Sequence, residues 1–209
     1  MIKSSNFKPY LFSPFLFLII LTGCDQKKEK DNTTPISKNE DKKVSDKDLT
    51  QRGEYLVNTI GCADCHSPKK MGERGPEVIG ELSLSGHMAD QEIPAVNQEA
   101  IKNGWMLMNS DLTAAAGPWG VSFAANITSD ETGIGNWTLE QFMTAIREGK
   151  YKGQKTGRDI LPPMPWQNFA MLSDEDLKAM FLYLKSTKPV KNAVPAPIPP
   201  GQDSKVASK

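Results

Sequence analysis

Apolar residues recur at helical spacing in three separate stretches of the chain, each with its own start and stop signals. Leu49, Leu56, Val57 and Ile60 fall close to one face of a helix that begins near Ser45 or Asp46 and stops at Gly61. Thr138 is placed to cap a second helix, with Gln141 completing a capping box and Trp137 and Phe142 forming a hydrophobic staple. Its stripe is Leu139, Phe142, Met143 and Ile146, and Gly149 ends it. The third opens on Ser173, with Asp176 at its third position and Leu172 stapled to Leu177. Its face is Leu177, Met180, Phe181 and Leu184; Lys185 and Lys188 suit the negative end of the helix dipole, and Pro189 stops it. No alternating run competes with these three, so the expected fold class is all-α. Residues 67–136, rich in Gly, Pro and Asn, are too long for an ordinary loop and are expected to hold short helices or turns.

The flanks read differently. Lys3 and Lys8 precede an apolar run over 11–21 that is too short to span a bilayer. It leads into Leu21-Thr22-Gly23-Cys24, which resembles a bacterial lipobox, so 1–23 is expected to be a signal peptide and Cys24 the lipidated first residue after cleavage. Residues 25–48 are almost all polar or charged, without apolar periodicity, and 24–48 reads as a flexible tether. The domain proper is expected over 49–188, followed by a Pro-rich, basic tail over 189–209. This organisation places the domain in the cell envelope, on the non-cytoplasmic side of a membrane.

Charge narrows the partners. The formal net charge of the 209 residues is zero, yet 49–184 holds 11 Lys/Arg against 17 Asp/Glu, while 185–209 holds 5 Lys against 1 Asp. No stretch has the concentrated positive charge of a nucleic-acid footprint.

Chemistry concentrates at Cys62-Ala63-Asp64-Cys65-His66, a C-x-x-C-H sequence at the end of a helix. Two cysteines three apart suit thioether attachment to one porphyrin, and the adjacent histidine suits the iron, so the expected cofactor is one covalent haem c. A thioredoxin-type pair needs a preceding strand, and here a helix precedes. Structural zinc needs four ligands, and Cys62, Cys65, His66 and His87 are the only Cys and His besides Cys24. For the second axial position Met164 leads, because Pro162, Pro163 and Pro165 stiffen the backbone around it. Met71, Met88, Met106, Met108 and His87 remain alternatives, whereas Met143 and Met180 lie on helical core faces. Arg158 is a candidate partner for a haem propionate, and Trp119, Trp137 and Trp166 either line the porphyrin or fill core.

The order helix, C-x-x-C-H, long loop, Pro-rich Met segment, helix resembles class I cytochrome c over roughly 47–190. Ala125-Asn126-Ile127-Thr128, then 132–137 (Thr-Gly-Ile-Gly-Asn-Trp) and 161–166, are similar to the cytochrome c domains associated with membrane-bound alcohol and sugar dehydrogenases. Several of those carry two or three haems per chain, where this sequence has a single C-x-x-C-H. The resemblance implies a helical domain in which the first and last helices cross beside the haem, with a long irregular insertion after the attachment motif. The expected role is that of an electron carrier rather than an enzyme, working with redox partner proteins such as a dehydrogenase or terminal oxidase. The rival expectation is a haem enzyme or gas sensor with an open distal iron site.

The anchor is directly testable. Cys24→Ser is expected to move the protein from the membrane to the soluble fraction on cell fractionation, because several acyl chains are needed for stable anchoring. Unchanged membrane association would count against lipidation.

Overall fold

The computed structural model describes residues 45–202. Cys24, the signal segment and most of the tether lie outside the described residues.

Helix α1 (Asp46–Thr59) starts where the sequence places it. Ser45 Oγ accepts from Asp48 N at 3.2 Å while the Asp48 carboxylate reaches back to Ser45 N at 3.3 Å, a reciprocal capping box. Gly61, with φ +79°, turns the chain at once into the short helix α2 (Cys62–His66). After the middle of the chain, α4 (Leu139–Glu148) carries the Thr138–Gln141 capping box and ends at Gly149 with φ +64°. A single turn, α5 (Trp166–Phe169), precedes α6 (Asp174–Ser186), whose Ser173 cap accepts from Asp176 N at 3.0 Å. Asp174, Glu175 and Asp176 in its first turn complement the positive end of the dipole.

The core lies where α1, α4 and α6 meet. Leu56 and Val57 pack with Leu177, Met180, Phe181 and Leu184 from α6 and with Phe142 and Ile146 from α4. The rings of Phe142 and Phe181 lie 5.5 Å apart, tilted by 41°. Leu84 and Ile134 close the cluster from the intervening segment.

That segment corrects the all-α expectation: the described residues are mostly helical but hold two small sheets. β1 (Lys69–Gly72) and β2 (Gly75–Val78) form an antiparallel hairpin. Beyond the short helix α3 (Gln98–Lys102), β3 (Leu107–Met108), β4 (Ala114–Gly117) and β5 (Gly120–Phe123) form an antiparallel sheet in the order β3-β4-β5, with Ala115 opposite Ser122. Strands of two to four residues are too short to show alternation. β4 is buried on both faces and built of alanine and glycine, residues with little intrinsic preference for strands.

The chain after Pro189 lies along the domain. Val121 and Ile198 exchange backbone hydrogen bonds of 2.9 Å in both directions, and the buried Asn192 side chain donates to the carbonyls of Ser85 and His87. No helix among the described residues is long and apolar enough to cross a membrane.

Gly53 lies against α6 at the α1–α6 contact. A Cβ there would lie 1.9 Å from the carbonyl oxygen of Ala179 and 2.9 Å from Tyr183 Cβ. Replacing an interior helical glycine by alanine ordinarily stabilises a helix by about 0.8–1 kcal/mol. Here the overlap dominates, so Gly53→Ala is expected to destabilise the protein by about 1–3 kcal/mol, read as a lower denaturation midpoint. A raised midpoint would show that the two helices have room to spare.

Candidate haem site

Cys62 and Cys65 stand three residues apart on α2, both half-buried and both free of disulfide bonding. Burial pushes the Cys62 thiol up to about 11, and burial also raises Cys65, against the opposing pull of the Lys69 ammonium. Both remain protonated thiols at neutral pH, unlike the low-pKa cysteines of redox-active C-x-x-C pairs. Among the described residues no cluster of three or more Cys, His, Asp or Glu side chains is arranged to hold a metal ion.

His66 is oriented from 59 residues away. Its Nδ1 lies 2.7 Å from the backbone oxygen of Ala125. A carbonyl can only accept, so Nδ1 carries the proton and donates, and the lone pair is left on Nε2. Burial lowers the His66 pKa below its ordinary value, outweighing that hydrogen bond, so the ring is neutral and Nε2 is available as a ligand. The His66 carbonyl in turn accepts from Gly86 N at 2.8 Å.

Lys69 fastens the same turn. Its Nζ donates to the carbonyls of Asp64 at 2.6 Å, Ser67 at 3.0 Å and Asp111 at 2.8 Å, joining the end of α2 to the loop before β4. Ser67, fully buried, accepts from Leu84 N at 2.9 Å.

Met164 is half-buried and packs against the core cluster that also receives Ile60, Cys62, Ala63 and Ile127. The attachment turn and the Pro-Pro-Met-Pro loop thus share one apolar surround. The alternatives are placed elsewhere. Met71 is 72% exposed, Met106 47% and Met108 37%, and Met88 sulfur accepts from Ser85 Oγ at 3.6 Å. His87 is buried with both nitrogens engaged, Nδ1 2.8 Å from Thr113 Oγ1 and Nε2 3.2 Å from the Gln91 carbonyl, and its ring stacks on Phe123 at 4.7 Å.

Several side chains have roles the sequence did not reveal. Arg158 is exposed, stacks over the Tyr151 ring at 3.6 Å and donates to the Asp159 carbonyl at 2.9 Å. The Trp166 ring packs against Gly149, Trp137 leans on the core, and Trp119 Nε1 donates to Ser122 Oγ at 3.2 Å. Ser122 and Lys69 carried no sequence signal, since both act on backbone carbonyls remote in the chain or irregular in structure.

Two unpaired thiols on one helical turn, a neutral imidazole with an open Nε2 and a thioether against the same apolar cluster make up a donor set suited to haem c. That is the chemistry of a c-type cytochrome, and comparison with known proteins places the chain in the same company. No protein-family model matches it. It is 31% identical over 148 residues, 70% of its length, to the alcohol dehydrogenase (quinone) cytochrome c subunit of Gluconobacter oxydans (strain 621H). It is 27% identical over 186 residues, 88% of its length, to the fructose dehydrogenase cytochrome subunit of Gluconobacter japonicus. It is 31% identical over 147 residues, 69% of its length, to the gluconate 2-dehydrogenase cytochrome c subunit of Pantoea cypripedii. The matched stretches span 23%, 29% and 25% of those three relatives, about a quarter of their length. The chain is therefore a homologue of dehydrogenase cytochrome c subunits. That homology implies covalent haem c, with which the Cys62/Cys65 pattern is consistent.

The engaged nitrogens of His87 give a prediction. His87→Ala is expected to cost about 2–4 kcal/mol of folding stability, because Thr113 and the Gln91 carbonyl lose buried partners. The sulfur-to-iron band of the oxidised protein should stay unchanged; a wild type without that band, whose reduced haem binds carbon monoxide only after His87→Ala, would make His87 a ligand.

Proposed function

We propose that the chain is a single-haem c-type cytochrome of cytochrome c-like fold that carries electrons between redox partners outside the cytoplasm, held at the membrane by a lipid on Cys24. The observation that carries this reading is the His66 ring, neutral, fixed by the Ala125 carbonyl at 2.7 Å and directly following two free thiols on one turn. Cys62 and Cys65 would form the thioethers, and His66 and Met164 the axial pair. When bound, haem c supplies a one-electron iron couple.

This chain's own residues do the rest. The Ala125 carbonyl fixes the tautomer and rotation of His66 and raises its basicity as a ligand. Lys69 holds the attachment turn against the middle segment. Leu84, Ile134, Phe142 and Ile146 belong to the buried apolar cluster against which Cys62, Ala63 and Met164 pack. The three relatives are named as cytochrome subunits of alcohol, fructose and gluconate dehydrogenases, which supports a role as the electron-carrying partner of a dehydrogenase rather than as the catalytic subunit. A terminal oxidase is the corresponding kind of acceptor. The domain body, with 17 acidic against 11 basic residues over 49–184, suits a partner with a basic docking face.

The test has two parts. Protein made in a host that matures c-type cytochromes is expected to retain one haem mass after denaturation, and a chain without it would sink the reading. The oxidised protein should show a weak near-infrared sulfur-to-iron band that Met164→Ala abolishes, and the reduced wild type should not bind carbon monoxide. Rapid carbon monoxide binding by the wild type would favour the open-site reading, a haem enzyme or gas sensor.

A further inference from the structure

Ser122 stands at the centre of β5, 8% exposed, with its strand paired to β4 on one edge and to Ile198 on the other. Its Oγ lies 2.6 Å from the carbonyl oxygen of Pro162, 40 residues later. A carbonyl only accepts, so the single hydroxyl proton goes to Pro162, and the Ala115 carbonyl at 3.4 Å is left as a marginal second acceptor. The Trp119 indole N–H, 3.2 Å away, fills the acceptor side of the same hydroxyl. The hydroxyl is thus held from behind and aimed at one atom.

That atom lies two residues before Met164. Between them Pro163 has a locked φ, and Pro165 restricts the backbone of Met164 from the other side. Few soft torsions separate the pinned carbonyl from the Met164 backbone, so fixing Pro162 largely fixes where the thioether is presented. Three residues beyond Ser122, the same extended segment offers the Ala125 carbonyl to His66 Nδ1. Ala124 N, bonded to the Thr113 carbonyl at 2.8 Å, keeps that extension rigid.

We propose that Ser122 is the positioning residue for the Met164 loop, and that β5 with its continuation to Ala125 is one strut that sets both axial side chains. The proposal rests on Met164 as the distal ligand. Ser122 touches no reacting atom; it acts through the Pro162 carbonyl. Its loss frees the loop to lift, weakening the sulfur-to-iron bond without touching the thioethers or His66.

The experiment uses the mature haem protein with Ser122→Ala, Ser122→Thr and Trp119→Phe, and carbon monoxide as the probe of an open sixth position. Ser122→Ala should retain one haem per chain, show a weakened near-infrared sulfur-to-iron band, and raise the population with an open sixth position about tenfold, the factor that one hydrogen bond carries, read as carbon monoxide binding that the wild type does not show under the same conditions. Ser122→Thr keeps the hydroxyl and should restore both readouts; Trp119→Phe should move them in the same direction as Ser122→Ala, by less. Should Ser122→Ala not accumulate, Trp119→Phe alone still decides. If the wild type shows the band and these variants lower only the melting temperature, leaving band and carbon monoxide binding as in wild type, Ser122 is structural and the proposal falls while Met164 stands. If the wild type itself lacks the band, the Met164 reading fails first and takes this proposal with it.

Discussion

The backbone carbonyl of Ala125 is committed to the His66 ring, and that commitment constrains the whole middle of the molecule. To bring residue 125 back against residue 66, the chain must leave α2, turn and return within hydrogen-bond reach. It does so by lacing: Gly86 N bonds to the His66 carbonyl, His87 N to that of Ala124, and Ile127 N to that of Leu84. The lacing runs so close that a Cβ on Gly86 would lie 2.4 Å from the Ala124 oxygen, and φ is +76° there. Only glycine meets both demands at once.

Of the large apolar side chains in this segment only Leu84, Val121 and Ile134 are buried, so burial alone does not hold it and polar bonds take over. Asp111, buried, accepts from Gln91 Nε2 at 2.9 Å and from Thr113 N and Oγ1 at 3.1 and 2.8 Å. Burial pushes its carboxyl up, yet the bonds from Gln91, Thr113 and Asn109 carry it below its ordinary value. Asn126 ties the other end, donating to Val190 O at 2.8 Å while its Oδ1 accepts from Thr128 N and Oγ1. Every buried side-chain nitrogen and oxygen among the described residues has a partner. Such a network specifies one arrangement, because losing any member leaves a desolvated group behind.

How much of this was legible depended on the range of the interaction. The capping box at Thr138 and the stripes of α1, α4 and α6 follow from residues three or four apart, and the sequence placed those helices to within a residue or two. The C-x-x-C-H turn after Gly61 is equally local. The strands were missed because their stability comes from partners, not from their own pattern; Ala114–Gly117 is a strand only because β3 and β5 flank it. The same limit hid the Ala125–His66 and Ser122–Pro162 bonds, 59 and 40 residues apart. Arg158 was legible as a candidate propionate partner by its proximity to Met164 in sequence, whereas the stacking of its guanidinium over the Tyr151 ring at 3.6 Å appears only in three dimensions. Ala125-Asn126-Ile127-Thr128 was legible as a resemblance, while its physical work as a knot between loop and tail appears only in three dimensions.

The Pro-rich end of the chain completes the strut rather than merely trailing from it. A strand such as β5, left open on one side, would present unpaired backbone groups to any other chain. Ile198 covers Val121 with one reciprocal pair of bonds. Pro197, Pro199 and Pro200 have no N–H, so this pairing cannot lengthen and the tail itself cannot recruit a further strand. Gly120 permits the approach: φ is +90°, and a Cβ there would lie 2.0 Å from the Ile198 oxygen. The prolines that rule out a helix in this stretch are therefore what suits it to cap a sheet edge. That cap sits one residue from Ser122, so the edge that must not slip is closed beside the hydroxyl that reaches Pro162.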